Sequence, residues 1–118
     1  MILGVIGTRV VEDTELVREI VAHYIHKYLP DRVVTGGAPG VDTLAESMAR
    51  MVGIPVTVHR PRGHRWSDYR KRNIRIVEEC DVLLVIRFKS SRTYGSGWTR
   101  DYAVRRGKRV ICIEIEGC

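Results

Sequence analysis

Apolar positions along the chain switch between strand-like runs and helical spacing. Residues 2–6, Ile-Leu-Gly-Val-Ile, form a continuous apolar run, which suits a strand buried on both faces. It ends in Gly7-Thr8-Arg9. Val17, Val21, Tyr24 and Tyr28 then recur at helical spacing to about Leu29, with Asp13 or Thr14 available as the cap and Pro30 as the stop. Residues 32–35 return to strand character. From about Val41 a helix presents Val41, Leu44, Ala45, Met48, Ala49 and Val52 on one face, and Gly53 is placed to close it. Residues 54–59 read as a third strand, with Pro55 near its start, where a missing N–H costs least. A polar loop from Arg60 to Asp68 leads to a third helix whose Trp66, Tyr69, Asn73, Val77 and Cys80 share a face. Residues 81–86 form a fourth strand, 87–96 a long loop, 97–106 a fourth helix ended by Gly107, and 109–115 the last strand.

Five strands alternating with four helices, without a hairpin signal, predict an α/β fold. The expected architecture is a doubly wound, five-stranded parallel sheet with right-handed crossovers and helices on both faces. With 118 residues and 44% apolar content, the chain suits a single domain over residues 1–118. In such sheets ligands sit beyond the carboxyl ends of the strands, near a switch in strand order. The loops expected there are 7–9, 36–40, 60–68 and 87–97.

The most informative of these loops is Gly36-Gly37-Ala38-Pro39-Gly40, between the second strand and the second helix. It has almost no side chain, so a ligand can approach the backbone. The helix behind it would point free N–H groups and its positive dipole end into the gap, as in an anion pocket. The pattern is neither G-x-G-x-x-G nor a P-loop. Asp42 sits in the first turn of that helix, where a carboxylate would repel a phosphate placed directly against it. It either accepts hydrogen bonds from loop N–H groups or faces a ribose hydroxyl. Glu46 lies one turn further on. Gly95-Ser96-Gly97-Trp98-Thr99 is a second loop-to-helix junction on the same rim, so two phosphate-type turns are expected there.

Charge adds a third feature. The net charge is +6, which favours an anionic partner. Arg60, Arg62, Arg65, Arg70, Lys71, Arg72 and Arg75 are concentrated in one segment, interleaved with His64, Trp66 and Tyr69. Arginines among aromatics suit single-stranded nucleic acid as well as a nucleotide. Arg70 and Asn73 fall near the apolar edge at the helix start, and an Asn there needs a hydrogen-bond partner, from a ligand or the neighbouring loop.

Other chemistries find no support. No Ser-His-Asp arrangement, metal-ligand cluster or Cys-His pair stands out, so no metal or cofactor is expected. Catalysis would have to use carboxylates (Asp42, Glu46 and Asp101) and arginines around a bound nucleotide, with Glu46 or Asp101 the candidates for stabilising an oxocarbenium-like sugar. His23 and His26 read as surface residues. No apolar run approaches the roughly 20 residues that span a membrane, and the first residues read as a strand rather than a signal peptide. The cysteines, Cys80, Cys112 and Cys118, fit a reduced, cytoplasmic setting, with Cys112 a buried small hydrophobe and Cys118 able to cross-link chains. The absence of Gln and the single Asn73 hint at a thermophilic source.

Taken in order, these motifs resemble the SLOG superfamily, in particular its small stand-alone members related to the YspA family. The matching stretches are Gly7-Thr8-Arg9, residues 34–46, Arg72-Asn73 before Cys80-Asp81-Val82-Leu83-Leu84-Val85, and Gly95-Ser96-Gly97-Trp98-Thr99 before Ala103 and Gly107. The resemblance covers nearly the whole chain and implies a Rossmann-like fold with a nucleotide-type ligand over the two glycine turns. Together with the placement of Arg70 at the helix start, it gives Gly7, Thr8, Arg9, Gly36, Gly37, Ala38, Gly40, Asp42, Arg70, Asn73, Gly95, Ser96, Gly97 and Thr99 as the expected ligand-binding residues. The superfamily includes LOG-type phosphoribohydrolases, whose motif is Pro-Gly-Gly-x-Gly-Thr-x-x-Glu. Aligned on Thr99, this chain has Ser96 and Trp98 at glycine positions and Tyr102 where the glutamate belongs. It also includes the DprA proteins, which bind single-stranded DNA; their usual His after the Gly-x-Asp segment is Glu46 here. The expected function is binding of a nucleotide or nucleotide-derived ligand by a homodimer. Hydrolysis of an N-glycosidic bond and single-stranded nucleic acid binding through the segment from Arg60 to Arg75 are the alternatives.

Overall fold

The computed structural model describes residues 1–89 and 94–116. Cys118 and the middle of the predicted 87–96 loop lie outside the described residues. The elements are β1 (Ile2–Gly7), α1 (Thr14–Tyr28), β2 (Arg32–Thr35), α2 (Val41–Met51), β3 (Val56–Val58), α3 (Trp66–Glu79), β4 (Val82–Phe88), α4 (Tyr94–Arg105) and β5 (Arg109–Ile115). All strand pairs are parallel, in the order β3-β2-β1-β4-β5. This is the doubly wound Rossmann-like sheet that the strand–helix alternation predicts.

β1 lies in the middle because it has no polar face. Leu3 pairs with Val33 of β2 on one side and with Val82 of β4 on the other. Successive strand residues face opposite sides of the sheet. Leu3, Val5, Val33, Leu84, Ile86 and Phe88 pack under α1 and α2. Ile6, Val34, Leu83 and Val85 join Ile76, Val77, Cys80 and Ala103 on the α3 and α4 face. Cys80 is fully buried there, and burial pushes its thiol up to about 11. The chain leaves β1 toward β2 on one side and reaches β4 on the other. The switch in strand order therefore lies at the carboxyl ends of β1 and β4.

Local chemistry sets the boundaries. Of the two candidate caps for α1, Asp13 serves: its Oδ1 accepts from the Leu16 N–H at 3.0 Å. Gly53 closes α2 with φ +78° and donates to the Arg50 carbonyl at 3.1 Å. His23 and His26 are exposed. No helix of the described residues is long and apolar enough to cross a membrane.

Four expectations are corrected. β3 is shorter than 54–59, because Pro55 has no N–H and the Ile54 N–H donates to the Ala49 carbonyl at the end of α2. β4 runs two residues past 86, since Arg87 and Phe88 pair with Glu114 and Ile115 of β5. α4 begins at Tyr94 rather than Gly97, so Gly95, which read as loop, sits inside its first turn. Cys112 is exposed, because β5 is an edge strand and the side chain projects toward solvent beside Arg100.

Candidate functional site

The loop after β1 is welded to the start of α2 by backbone contacts. Thr8 is fully buried; its N–H donates to the Ile86 carbonyl at 3.1 Å, and its carbonyl accepts from the Val41 N–H at 3.2 Å. Gly7 is required by this approach: a Cβ there would strike the Ile86 carbonyl oxygen and come within 2.7 Å of Val41. Gly40 has φ +86°, and its α-carbon faces the carbonyls of Thr8 and Arg9. Both glycines therefore serve backbone packing. Thr8, Gly37 and Gly40 lie behind the site rather than in it.

The predicted anion gap at residues 36–40 is filled from within. Asp42 is 3% exposed, and its Oδ2 accepts from the Ala38 N–H at 3.4 Å. N–H groups of Gly36 and Gly7 also stabilise the carboxylate. Of the two readings of Asp42, the contact with loop N–H groups is the one the structure shows. Burial still dominates its titration and raises the carboxyl to about 6, with the Arg72 charge and the loop N–H groups pulling the other way. Asp42 Oδ1 has no hydrogen-bond partner among the described residues.

Arg72 reaches across from α3 to close the same corner. It is 8% exposed; its Nη1 donates to the Gly36 carbonyl at 2.6 Å and its Nε to Asn73 Oδ1 at 2.7 Å. The buried Asn73 thus has a partner next door on the helix, the guanidinium of Arg72. Gly36 leaves room for this contact, since a Cβ would lie 2.5 Å from Arg72 Nη1 and 2.8 Å from Asp42 Oδ2. Tyr69 supports the cationic edge: Arg9 Cζ lies 5.1 Å and Arg72 Cζ 5.8 Å from its ring centroid.

These groups surround one cavity of about 380 Å³. β1 and its loop contribute Ile6, Gly7 and Arg9; the 36–40 bend and α2 contribute Ala38 and Asp42. α3 adds Trp66, Tyr69, Arg72 and Asn73, and the first turn of α4 adds Gly95 and Ser96. The two glycine bends therefore do meet on one cavity. Ser96 is 5% exposed, and its Oγ has no partner among the described residues. Gly95 lies against Trp66, whose Cζ3 would be in ordinary contact, at 3.4 Å, with a Cβ at that position. Trp66 meets Trp98 edge to face at 5.6 Å, and Trp98 stacks on Tyr102.

Several expected residues stand elsewhere. Arg70 is exposed and outside the lining, since the inward stripe of α3 runs through residues 66, 69, 73 and 76 and carries Arg72 with it. Gly97 faces Arg87, and Thr99 is buried with its Oγ1 donating to the Gly95 carbonyl at 2.8 Å. Glu46 pairs with Arg50 at 3.1 Å and Asp101 with Arg100 at 3.1 Å, both away from the cavity. Among the described residues, Asp42 is the one carboxylate in the lining, and no group of three His, Cys, Asp or Glu could hold a metal ion. A cavity with aromatic walls, two guanidinium groups and a helix N-terminus suits a planar, anionic molecule.

A profile of the YspA, cpYpsA-related SLOG family matches residues 1–67. The chain belongs to that family. In this SLOG chain the matched stretch carries β1, the welded loop, the 36–40 bend and Asp42, and ends as α3 begins. Two solved structures share the fold. The X-ray structure of TM1055 aligns with a TM-score of 0.71 at 19% identity, covering 92% of this chain and 71% of that one. The molybdenum cofactor carrier protein from Chlamydomonas reinhardtii aligns with a TM-score of 0.69 at 18% identity, covering 94% of this chain and 74% of its own. No curated protein matches the chain.

Proposed function

We propose that this SLOG domain binds a nucleotide or nucleotide-derived anion in the 380 Å³ cavity. The observation that carries the reading is the convergence of Tyr69, Arg9, Arg72 and the first turn of α4 on one hollow at the strand-order switch. Tyr69 and Trp66 offer faces and edges for a base. Arg9, Arg72 and the α4 N-terminus supply positive charge. The unpartnered Ser96 Oγ and Asp42 Oδ1 are suited to ligand hydroxyl or amino groups. Because the 36–40 bend already holds its own carboxylate, the anionic part of the ligand belongs beside α4 and the arginines. The carrier function named for one structural neighbour is in keeping with a small molecule held on this fold.

Thermal shift and calorimetry with AMP, other nucleoside monophosphates and ADP-ribose test the reading. A bound ligand at about 100 times its Kd adds about 2.7 kcal/mol of stability. Tyr69→Ala should abolish the shift while the protein stays folded. A panel without any shift would overturn the proposal.

One observation keeps hydrolysis of an N-glycosidic bond as a second reading. Of the three carboxylates that the sequence offers for this chemistry, Asp42 lines the cavity, whereas Glu46 and Asp101 do not. Release of free base from a nucleoside monophosphate, lost in Asp42→Asn and kept in Glu46→Gln, would establish this activity. Release unchanged by Asp42→Asn would remove it.

A further inference from the structure

The positive charge of the chain is concentrated in one place. Residues 60–75 hold seven basic side chains against Asp68, which accounts for the whole formal excess of +6. Several cations elsewhere are paired, as in Arg18–Glu15, Arg50–Glu46, Arg87–Glu114 and Arg106–Glu78. Arg62, Lys71 and Arg75 make no ion pair among the described residues. They instead line a second cavity of about 250 Å³ together with Arg60 and Asp68. Arg60 reaches only the Gly37 carbonyl, at 3.4 Å. Asp68 is partly engaged, accepting from the Arg65 N–H at 3.2 Å. Cations that outnumber the one carboxylate among them repel one another, and a multivalent anion in their midst relieves that repulsion.

Arg72 belongs to the wall of both cavities. Its Nη1 and Nε are committed to Gly36 and Asn73, which leaves Nη2 without a hydrogen bond among the described residues. A guanidinium fixed in this way can touch two anionic groups, one on each side.

We infer that the second cavity is a phosphate subsite for the same ligand, so that the chain prefers nucleotides carrying more than one phosphate group. The inference rests on the nucleotide reading of the first cavity. The base and sugar occupy the aromatic side, and a further phosphate passes Arg72 and is held by Arg62, Lys71 and Arg75.

The test is calorimetry with AMP, ADP, ATP and adenosine 3′,5′-bisphosphate at fixed salt and without divalent cations. It uses the wild type and the triple variant Arg62→Ser/Lys71→Ser/Arg75→Ser. In the wild type the best polyphosphorylated ligand should bind about tenfold or more tighter than AMP. The triple variant should bind AMP within about twofold of wild type and lose the phosphate-dependent gain. Removing unpaired like charges should leave its Tm unchanged or raised, so a folding defect would not imitate this result. AMP binding with no gain from added phosphate, or a gain the variant retains, overturns the subsite and leaves the nucleotide reading standing. Absence of binding by every nucleotide removes both. A single-stranded oligonucleotide that binds more tightly than ATP, with a steep salt dependence lost in the variant, overturns the subsite in favour of a nucleic-acid surface.

Discussion

The bends at residues 36–40 and 95–99 look alike in sequence, yet they do different work. In the first, Gly40 is forced into φ +86° against the Thr8 and Arg9 carbonyls, and the carboxylate of Asp42 takes up the N–H groups of the loop. In the second, the glycines sit within a helical turn, and Ser96 Oγ, beside the cavity, has no partner among the described residues. A glycine-rich strand-to-helix junction therefore does not by itself mark an open anion site. What decides is whether a nearby side chain can fold back onto the free N–H groups. Asp42, in the first turn of α2, does; in α4, Thr99 spends its hydroxyl on the Gly95 carbonyl instead.

The sharpest way to break this contrast is to add a methyl group to each bend. Gly40→Ala should cost about 3 kcal/mol or more, through the positive φ and the carbonyl oxygens against the new Cβ. Chemical denaturation measures it, and a loss under about 1 kcal/mol would refute the welded-loop description.

The next largest effect is a pH dependence. Asp42 titrates near 6 in the folded chain, above its ordinary carboxylate value, so the folded state binds this proton more tightly than the unfolded state. Its contribution to stability is therefore greatest below the unfolded pKa and is lost as pH rises from about 4 to about 6, by roughly 1–3 kcal/mol. Asp42→Asn should flatten that part of the stability–pH curve. An unchanged slope would mean that another group carries it.

Gly95→Ala should have the opposite sign to Gly40→Ala. With ordinary helical geometry and a Cβ at 3.4 Å from Trp66, it is expected to stabilise the chain by about 0.5 kcal/mol. A loss above about 1 kcal/mol would show that the turn is tighter than its contacts indicate. The smallest effects belong to Glu46→Gln and Asp101→Asn. Each breaks one exposed ion pair and should shift stability by under about 0.5 kcal/mol, with ligand binding untouched.

The fold was legible because the sequence alternates runs of two faces with stripes of one. Residues 2–6 are apolar on both sides and suit a strand buried on both faces; the inward face of α2 was legible from Val41 to Ala49, whereas Val52, expected on the same face, lies past the last turn and is 60% exposed. The site was less legible. Its glycines, Arg9 and Asp42 stood out by spacing, but Arg72 was hidden in a basic run whose members look equivalent until the phase of α3 is fixed. Tyr69 and Asn73 gave that phase: the residue three positions after Tyr69 and four before Ile76 turns inward with them, while Arg70 turns out. The start of α4 was misread because Gly95 and Gly97 are poor helix formers, although a Cβ at either would make only ordinary contact with Trp66 or Arg87. Cys112 was misplaced because nothing local marks β5 as an edge.

The two hydrophobic layers on either side of the sheet share no side-chain core, yet both send residues to the rim of the same hollow. Ala38 and Asp42 come from the α2 layer, and Tyr69, Arg72 and Ser96 from the α3–α4 layer. A molecule seated between them would act as a rivet through two plates. Amide exchange should then slow in concert at the leading turns of α2 and α4, on opposite faces of the molecule, as occupancy rises.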